Sequence, residues 1–563
     1  VLAVSIVKGG PGRRVVGRHT TRATVAQDTD VSASSRAVML AALCLGVLLV
    51  GIELFITAVA LPRILLDLAG WTELRRASWI INAYLVAYIT AMPLAGRAAD
   101  RFGLPRLVTV ALLLFAAGSV LCGAAQDLEQ LVLARIVQGA GAGALLPLAT
   151  AGASHLYRGH GRARALGLVG AATFLGMAIG PVLGAFVLEW LGLRDALNAY
   201  GVWDGPLLDA LTPSWRWVFY VSAPLALLAA IYVWAASPDW DVPPGSRSLD
   251  IVGGILFSAA LAAGLLALTL IGDADATTVA VAGSALVVAI VCGVLAAFRM
   301  TRAEAPFLDL RLFRDRVFGS AVLVSLLTGY ALATVIVGMA AFVDRVLFAG
   351  PAEQRATLGA LALAMAVGAA VSGFAMRRVG ATAVTLVGLA ASIVGLLALA
   401  GLASDTREEL LPATLALFGL GFGLTVTPRS SAAVEAAGRA AFGTASAAVT
   451  VGRMVGMALG LAILTAFGTA SIDAVTVALN DQAYRDAVLP AELVGRPLAD
   501  PLVLAALETW AASEAARVLG SLFLVSAVVL VFAIVPAWLM RGAERQHDEP
   551  VDDGLALREG PAW

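Results

Sequence analysis

From residue 38 to residue 540 the chain is a succession of long apolar runs separated by short polar stretches. Fourteen of these runs are long enough, at about 18 residues or more, to cross a bilayer as helices. They fall at 38–61, 77–96, 107–125, 131–152, 165–188, 216–236, 250–271, 278–298, 318–348, 355–376, 381–403, 410–428, 443–468 and 516–540. Arginine marks alternate connections. Arg97, Arg101 and Arg106 lie in one, Arg158, Arg162 and Arg164 in the next, then Arg299 to Arg316, Arg377 with Arg378, Arg429 with Arg439, and Arg541 with Arg545. The intervening loops are poorer in arginine, so the positive-inside rule places both termini in the cytoplasm.

The pattern occurs twice. Gly167, Gly176, Gly180 and Gly184 recur, in the same order and spacing, as Gly443, Gly452, Gly456 and Gly460. At nearly the same offset Gly96 pairs with Gly373, Gly118 with Gly395 and Gly143 with Gly419. Two copies of one membrane unit in one chain is a common construction of secondary transporters. Six spans fall in each copy and the copies share one orientation, so the insert between them must hold an even number of spans; residues 250–298 hold two. The expected fold class is an all-α polytopic membrane protein. Its parts are a cytoplasmic tail at 1–36, a six-helix bundle at 37–236, a linker with two extra spans at 237–317, a second six-helix bundle at 318–540 and a tail at 541–563. The loops at 189–214 and 469–515 are long and face outward; they read either as surface loops with extended helix ends or as a collar that guides a bulky substrate.

Composition agrees and removes several function classes. The chain is 60% hydrophobic over 563 residues, against about 45–50% for soluble domains. Cys44, Cys122 and Cys292 lie in apolar spans and imply no disulfide framework. Four scattered histidines offer no metal-ligand spacing. No nucleophile–base or metal constellation gathers in the spans, so an enzyme is not expected. Lys8 is the only lysine, and its surroundings lack the GxxxxGK[ST] phosphate loop. No cofactor is expected, and uphill movement would draw on an ion gradient or on a separate subunit. Residues 1–36 lack the apolar core of a signal peptide, and the tail after Arg541 is too short for a soluble sensor domain.

Four segments carry candidate chemistry. GRAADRFGLPR places Gly96, Asp100, Arg101, Gly103 and Arg106 between spans two and three; Gly103 permits a tight turn, and Asp100 can engage a helix N-terminus or an arginine. LVLARIVQGAGAGALLP places Arg135, Gln138 and Gly139 in span four, and an arginine in an apolar helix marks function unless it snorkels to the interface. GMAIGPVLGAF sets Gly176, Gly180 and Gly184 on one helix face, where backbones can approach closely, with Pro181 as a bend. GIELFITAVALPRI holds Glu53, whose burial in hydrocarbon would let it take up and release protons near neutral pH. Arg453, in TVGRMVGMALG, breaks the repeat at the place of Met177. A Glu53–Arg453 pair across the two halves is the expected central site, either a proton-coupled switch or a structural ion pair. Asn82, Tyr84 and Tyr88 read equally as cavity lining and as packing, and Gln138 is a further cavity candidate.

These segments resemble the major facilitator superfamily: the loop from Gly96 its signature turn, with Leu104 and Pro105 in place of the usual basic pair; span four its arginine motif, linked there to proton coupling; and Gly176 to Phe186 its antiporter motif, associated with export. GIELFITAVALPRI resembles the first span of the fourteen-span drug:proton antiporters. Over roughly residues 40–540 the chain also resembles mycobacterial-type triacylglycerol exporters, which act beside a lipoprotein, although the glutamate usual near Thr173–Phe174 is missing. The resemblance implies a proton-coupled exporter in the plasma (inner) membrane. It works by alternating access on hydrophobic or amphipathic compounds, or alternatively on lipids with an outer lipoprotein as partner. A non-transporting membrane sensor is the reading from another class.

Overall fold

The computed structural model describes residues 33–541 apart from 69–73, 158, 191–199, 202–204, 206–213, 237–249, 271–275, 305, 307, 403–409 and 438–441. The outer loop at 189–214, most of both tails and the start of the linker therefore lie largely outside the described residues. The described chain is helical throughout, as hydrocarbon demands of a backbone that must satisfy its own polar groups. The first half comprises α1 (Ala33–Leu68), α2 (Trp79–Phe102), α3 (Leu104–Ala124), α4 (Leu128–Leu156), α5 (Gly159–Trp190) and α6 (Ser214–Ala236). An inserted pair follows, α7 (Ile251–Thr269) and α8 (Ala276–Arg302). The second half comprises α9 (Arg316–Arg345), α10 (Pro351–Val379), α11 (Ala381–Ala400), α12 (Leu410–Ala437), α13 (Phe442–Asn480) and α14 (Pro501–Leu539). Among the described residues 13 helices are long and apolar enough to span a membrane, and α2, apolar over Trp79–Ala95, makes the fourteenth.

Aspartates set several helix starts. Asp127 accepts the Gln130 N–H at 2.8 Å, Asp250 the Gly253 N–H at 3.0 Å, and Asp315 the N–H groups of Val317 and Phe318. Each thereby satisfies backbone donors that a helix end leaves open.

The two halves pack alike. α1 lies on α5 as α9 lies on α13; α2 lies on α4 as α10 lies on α12; α3 meets α4 and α6 as α11 meets α12 and α14. The glycines show why. A Cβ at Gly176 would strike the Leu48 carbonyl on α1, and one at Gly456 the Leu326 carbonyl on α9. Gly180 abuts Ile52, while Gly460 abuts Tyr330. Bare backbone at these points lets the helices close to contact distance. Gly167 and Gly443 lie outside the residues whose surroundings are described. By this packing Gly176 matches Gly456 and Gly180 matches Gly460, one turn off the sequence pairing with Gly452 and Gly456, and in α4 and α12 the register likewise differs from the sequence pairing of Gly143 with Gly419. By packing, Gly139 on Tyr84 matches Gly419 on Leu361, and Gly143 on Tyr88 matches Gly423 on Met365. The spacing of four lets the sequence pattern slip by one turn unnoticed.

The halves meet through α5 with α10, α2 with α13, and α1 with α9. The α7–α8 pair leans on α2 and α13. It is tied there by a hydrogen bond between the hydroxyls of Thr90 and Ser258 and closed on itself by Arg299 Nε donating to Asp250 at 3.1 Å. α8 leaves Val287, Ile290, Val294 and Phe298 exposed, as a lipid-facing helix does. α13 runs 39 residues, about 58 Å at 1.5 Å per residue, well beyond a hydrocarbon core of roughly 30 Å. Its far end joins the start of α14 in a small lobe around Ala478, Leu489, Val503 and Leu507, with Tyr484 against Trp510. Much of the predicted loop 469–515 is thus helix.

One residue sits elsewhere than the sequence suggested. Arg429 is no loop cation: α12 carries on to Ala437, and Arg429 is 1% exposed within it. Trp215, at the start of α6, is buried, and its indole N–H donates to Asp67 at 2.9 Å.

Candidate functional site: a buried ion pair in one half

α1 is drawn tightly onto α5 at Gly51, whose missing Cβ makes room for the Thr173 carbonyl. Two residues on, Glu53 is fully buried. One of its oxygens accepts from Arg135 Nη1 on α4 at 2.6 Å and from the Thr57 hydroxyl at 3.1 Å. The same Arg135 nitrogen donates to Gln138 Oε1 at 2.6 Å, and Arg135 Nε donates to the Ile80 carbonyl at 3.0 Å. The guanidinium lies 4.1 Å from the centroid of the Tyr84 ring, a cation–π contact. Gln138 Nε2 donates to the Ser119 hydroxyl at 2.9 Å, and the Ser222 hydroxyl donates to the same oxygen at 3.1 Å. The network thus ties α1, α2, α3, α4 and α6 together.

The expected Glu53–Arg453 pair does not form. Glu53 pairs with Arg135 inside its own half, because Arg135 lies on the buried face of α4 and does not snorkel. Arg453 lies across the interface on α13, half-buried, where it interacts electrostatically with Arg429 and Tyr88. Its backbone rests on Gly329 of α9.

Other predicted residues divide. Gln138 belongs to the network. Asn82 and Tyr84 are buried on α2, and both polar atoms of Asn82, the Tyr84 hydroxyl and the second oxygen of Glu53 have no hydrogen-bond partner among the described residues. Tyr88 is buried 5.9 Å from Tyr84, ring to ring. Gly103 turns the chain between α2 and α3 at φ 87°, its N–H on the Ala99 carbonyl at 3.0 Å; Gly380 makes the matching turn between α10 and α11 at φ 85°. A positive φ of this kind suits glycine. Gly96, Asp100 and Arg101 fall within α2, but the side chains of Asp100 and Arg101 lie outside the described residues; Arg106 is exposed. Pro181 sits inside α5 between Gly180 and Gly184, the row packed on α1.

The packing correspondence shows that the network belongs to the first half alone. Gly118 rests on Gln138, and Gly395 rests on Phe418. Followed residue by residue, Tyr84 matches Leu361, Tyr88 matches Met365, Arg135 matches Leu415 and Glu53 matches Ala331. One copy of the unit carries the ionisable chemistry, and the other fills the same positions with apolar side chains. Sequence reasoning missed Thr57, Ser119 and Ser222. Thr57, one helical turn after Glu53, was the one with a visible signal.

A family model described as Major Facilitator Superfamily matches residues 43–461. The chain belongs to the major facilitator superfamily. It is 33% identical over 537 residues to a triacylglyceride transporter of Mycolicibacterium hassiacum, covering 93% of this chain and 96% of that one. It is 32% identical over 537 residues to a triacylglyceride transporter of Mycobacterium tuberculosis, covering 92% and 96%. Among solved structures, a bacterial homologue of the human lysosomal transporter Spinster superposes with TM-score 0.63 at 18% identity, over 92% of this chain and 98% of that one. A D-xylose–proton symporter superposes with TM-score 0.56 at 12% identity, over 88% and 97%. The superfamily member described here is therefore a membrane transporter and not a catalytic enzyme.

Proposed function

We propose that this transporter exports lipid of the triacylglycerol class, driven by protons entering in exchange, through alternating access of its two halves. The relatives favour lipid over the general drug efflux that the first span suggests, since both match nearly end to end and are named for triacylglyceride. The observation that carries the coupling is Glu53, a carboxylate buried between helices with one oxygen on Arg135 and the other without a partner among the described residues. Protonation of Glu53 would weaken its hold on Arg135 and release α1 from α4. The gate turn at Gly103, with Asp100 and Arg101 beside it, would latch the cytoplasmic side. The antiporter row at Gly176, Gly180, Pro181 and Gly184 would carry the rocking of α5 on α1. In this reading the lobe built from α13 and α14 faces outward and hands cargo to a lipoprotein, and both termini are cytoplasmic.

The test is proton flux in proteoliposomes with the wild type and Glu53→Gln, supplying labelled triacylglycerol and a cationic dye in parallel. Lipid movement that drives protons in the wild type and not in the variant supports the proposal. Movement of the dye alone assigns drug efflux. Lipid movement unchanged in the variant removes Glu53 from coupling.

A further inference from the structure

The second half holds two arginines that the first half lacks. By the packing correspondence Arg429 on α12 stands where α4 has Ala149, and Arg453 on α13 stands where α5 has Thr173, whose carbonyl meets Gly51 as that of Arg453 meets Gly329. Both converge on one turn of α9. A nitrogen of the Arg429 guanidinium donates to the Thr328 hydroxyl, and the next residue, Gly329, receives the backbone of Arg453. The same Arg429 nitrogen reaches the Thr425 hydroxyl at 3.4 Å, while its Nε is buried without a hydrogen-bond partner among the described residues. The guanidinium lies 5.2 Å from the Phe422 ring centroid. The two arginines are close enough to act on each other electrostatically, and Arg453 also feels Tyr88 across the interface. No carboxylate among the described residues acts on either. Glu53, the one buried carboxylate in the spans nearby, is held by Arg135 in its own half.

The charge balance is therefore lopsided. The first half holds a neutral ion pair, and the second holds two like charges side by side. Like charges in a low-dielectric setting repel strongly, and a buried charge without a counter-charge is disfavoured. Charged side chains inside membrane spans pair with one another or mark a substrate path. A guanidinium fork matches the two oxygens of a carboxylate or phosphate. Arg453 is the half-buried, interface-facing member; Arg429 stands behind it, anchored to hydroxyls and adding to the positive field.

We propose that Arg453, with Arg429 beside it in the second half, forms an anion subsite at the interface of the halves. It takes a carboxylate or phosphate group, so that the cargo class extends to acidic amphiphiles and is not restricted to neutral triacylglycerol. The choice of an acidic lipid rests on the lipid-export reading above; the anion chemistry rests on the two arginines.

The experiment uses the full chain purified in neutral detergent, with binding read by thermal unfolding against oleate, dioleoyl phosphatidate, triolein and inorganic phosphate. Wild type is compared with Arg453→Gln, Arg453→Lys and Arg429→Gln, each checked for monodisperse elution. The expected result is at least tenfold tighter binding of the acidic lipids than of triolein. The preference should be lost in Arg453→Gln, partly regained in Arg453→Lys and weakened in Arg429→Gln. If inorganic phosphate stabilises as well as phosphatidate, and in the same Arg453-dependent way, the anion site stands and its source is a free anion. Triolein and oleate binding alike, with Arg453→Gln unchanged, overturns the subsite and leaves lipid export standing. Failure of every lipid to bind overturns the export reading as well. Should Arg453→Gln fail to elute as a single species, Arg453→Lys and Tyr88→Phe carry the comparison: an acidic-lipid preference untouched in both overturns the proposal.

Discussion

The carboxylate of Glu53 stands 2.6 Å from the guanidinium of Arg135, joining α1 to α4 within the first half. Removing one member of such a buried pair leaves the other charge stranded, at about 3–5 kcal/mol. Arg135→Leu is therefore expected to unfold well below the wild-type temperature. The matching positions of the second half already hold Ala331 and Leu415, so the unit tolerates apolar side chains at both places together. The double variant Glu53→Leu/Arg135→Leu should recover most of the lost stability while losing coupled transport by at least tenfold. Thermal unfolding in detergent, with flux measured in parallel, decides it. A double variant as unstable as Arg135→Leu would mean that the pair fixes the packing of this half in a way its twin does not share.

The glycine row makes a second prediction with its own control. A Cβ at Gly176 meets the backbone of Leu48, and one at Gly456 the backbone of Leu326. Main chain cannot move aside as a side chain can, so Gly176→Ala and Gly456→Ala should each cost about 1–3 kcal/mol by overpacking. Gly170 lies on the same helix as Gly176 with nothing near its absent Cβ. Gly170→Ala should be neutral, or stabilising by roughly 0.5–1 kcal/mol through helix propensity. Yield of monodisperse protein and melting temperature order the three variants. Equal loss in all three would show that the helices separate more easily than their contacts imply.

A third prediction concerns acid and the outer lobe. Asp500 caps α14: the Leu502 N–H donates to it at 2.9 Å and Arg496 at 3.2 Å. These contacts, the backbone donor first, hold its carboxyl below the usual carboxylate range. A carboxyl lowered on folding lends stability above its ordinary value, near 3.9, and loses it only as pH falls through the lowered one. Hydrogen exchange at 501–507, corrected for intrinsic rates, should therefore match at pH 7 and pH 5.5 and quicken in Asp500→Ala at both. Loosening of the native lobe at pH 5.5 would assign the sensitivity to another group.

The class of fold was legible because hydrocarbon leaves little choice: runs above a threshold length must be helices, and a repeated glycine pattern must be repeated packing. The turn at Gly103 could be read because glycine is the residue for its backbone angle. The partner of Glu53 could not be read. Pattern places Glu53, Arg135 and Arg453 in spans, but which pair meets depends on helix rotation, and a rotation of one residue moves a side chain by about 100°. Arg429 escaped for a related reason. The apolar run ends at 428, ahead of Arg429, whereas α12 carries the chain on for nine more residues, to Ala437. Thr57, Ser119 and Ser222 are common in apolar helices as bonds back to their own backbone, so nothing in their spacing distinguishes a shared network.

Asp344 at the end of α9 acts electrostatically on Arg63 of α1, across the two halves, while Arg345 forms an ion pair with it at 3.2 Å. Nearby, Gly359 on α10 approaches Val182 on α5. These contacts lie at the end where α1, α5 and α9 finish, and they close the halves on that side. A partly exposed charge contact of this kind is worth about 0.5–1 kcal/mol, a roughly two- to fivefold shift between states. Asp344→Asn should open this end by that amount, and the exchange Arg63→Asp/Asp344→Arg should close it again. Spin labels at the exposed residues Leu66 and Phe348 would read the change as a growing long-distance population in Asp344→Asn. Charge-swap rescue separates a latch from mere packing, since packing would suffer twice in the double variant. An unchanged distance distribution in Asp344→Asn would locate closure in the α5–α10 contact instead, where Gly359→Leu, forcing a branched side chain toward Val182, should then spread the halves by itself.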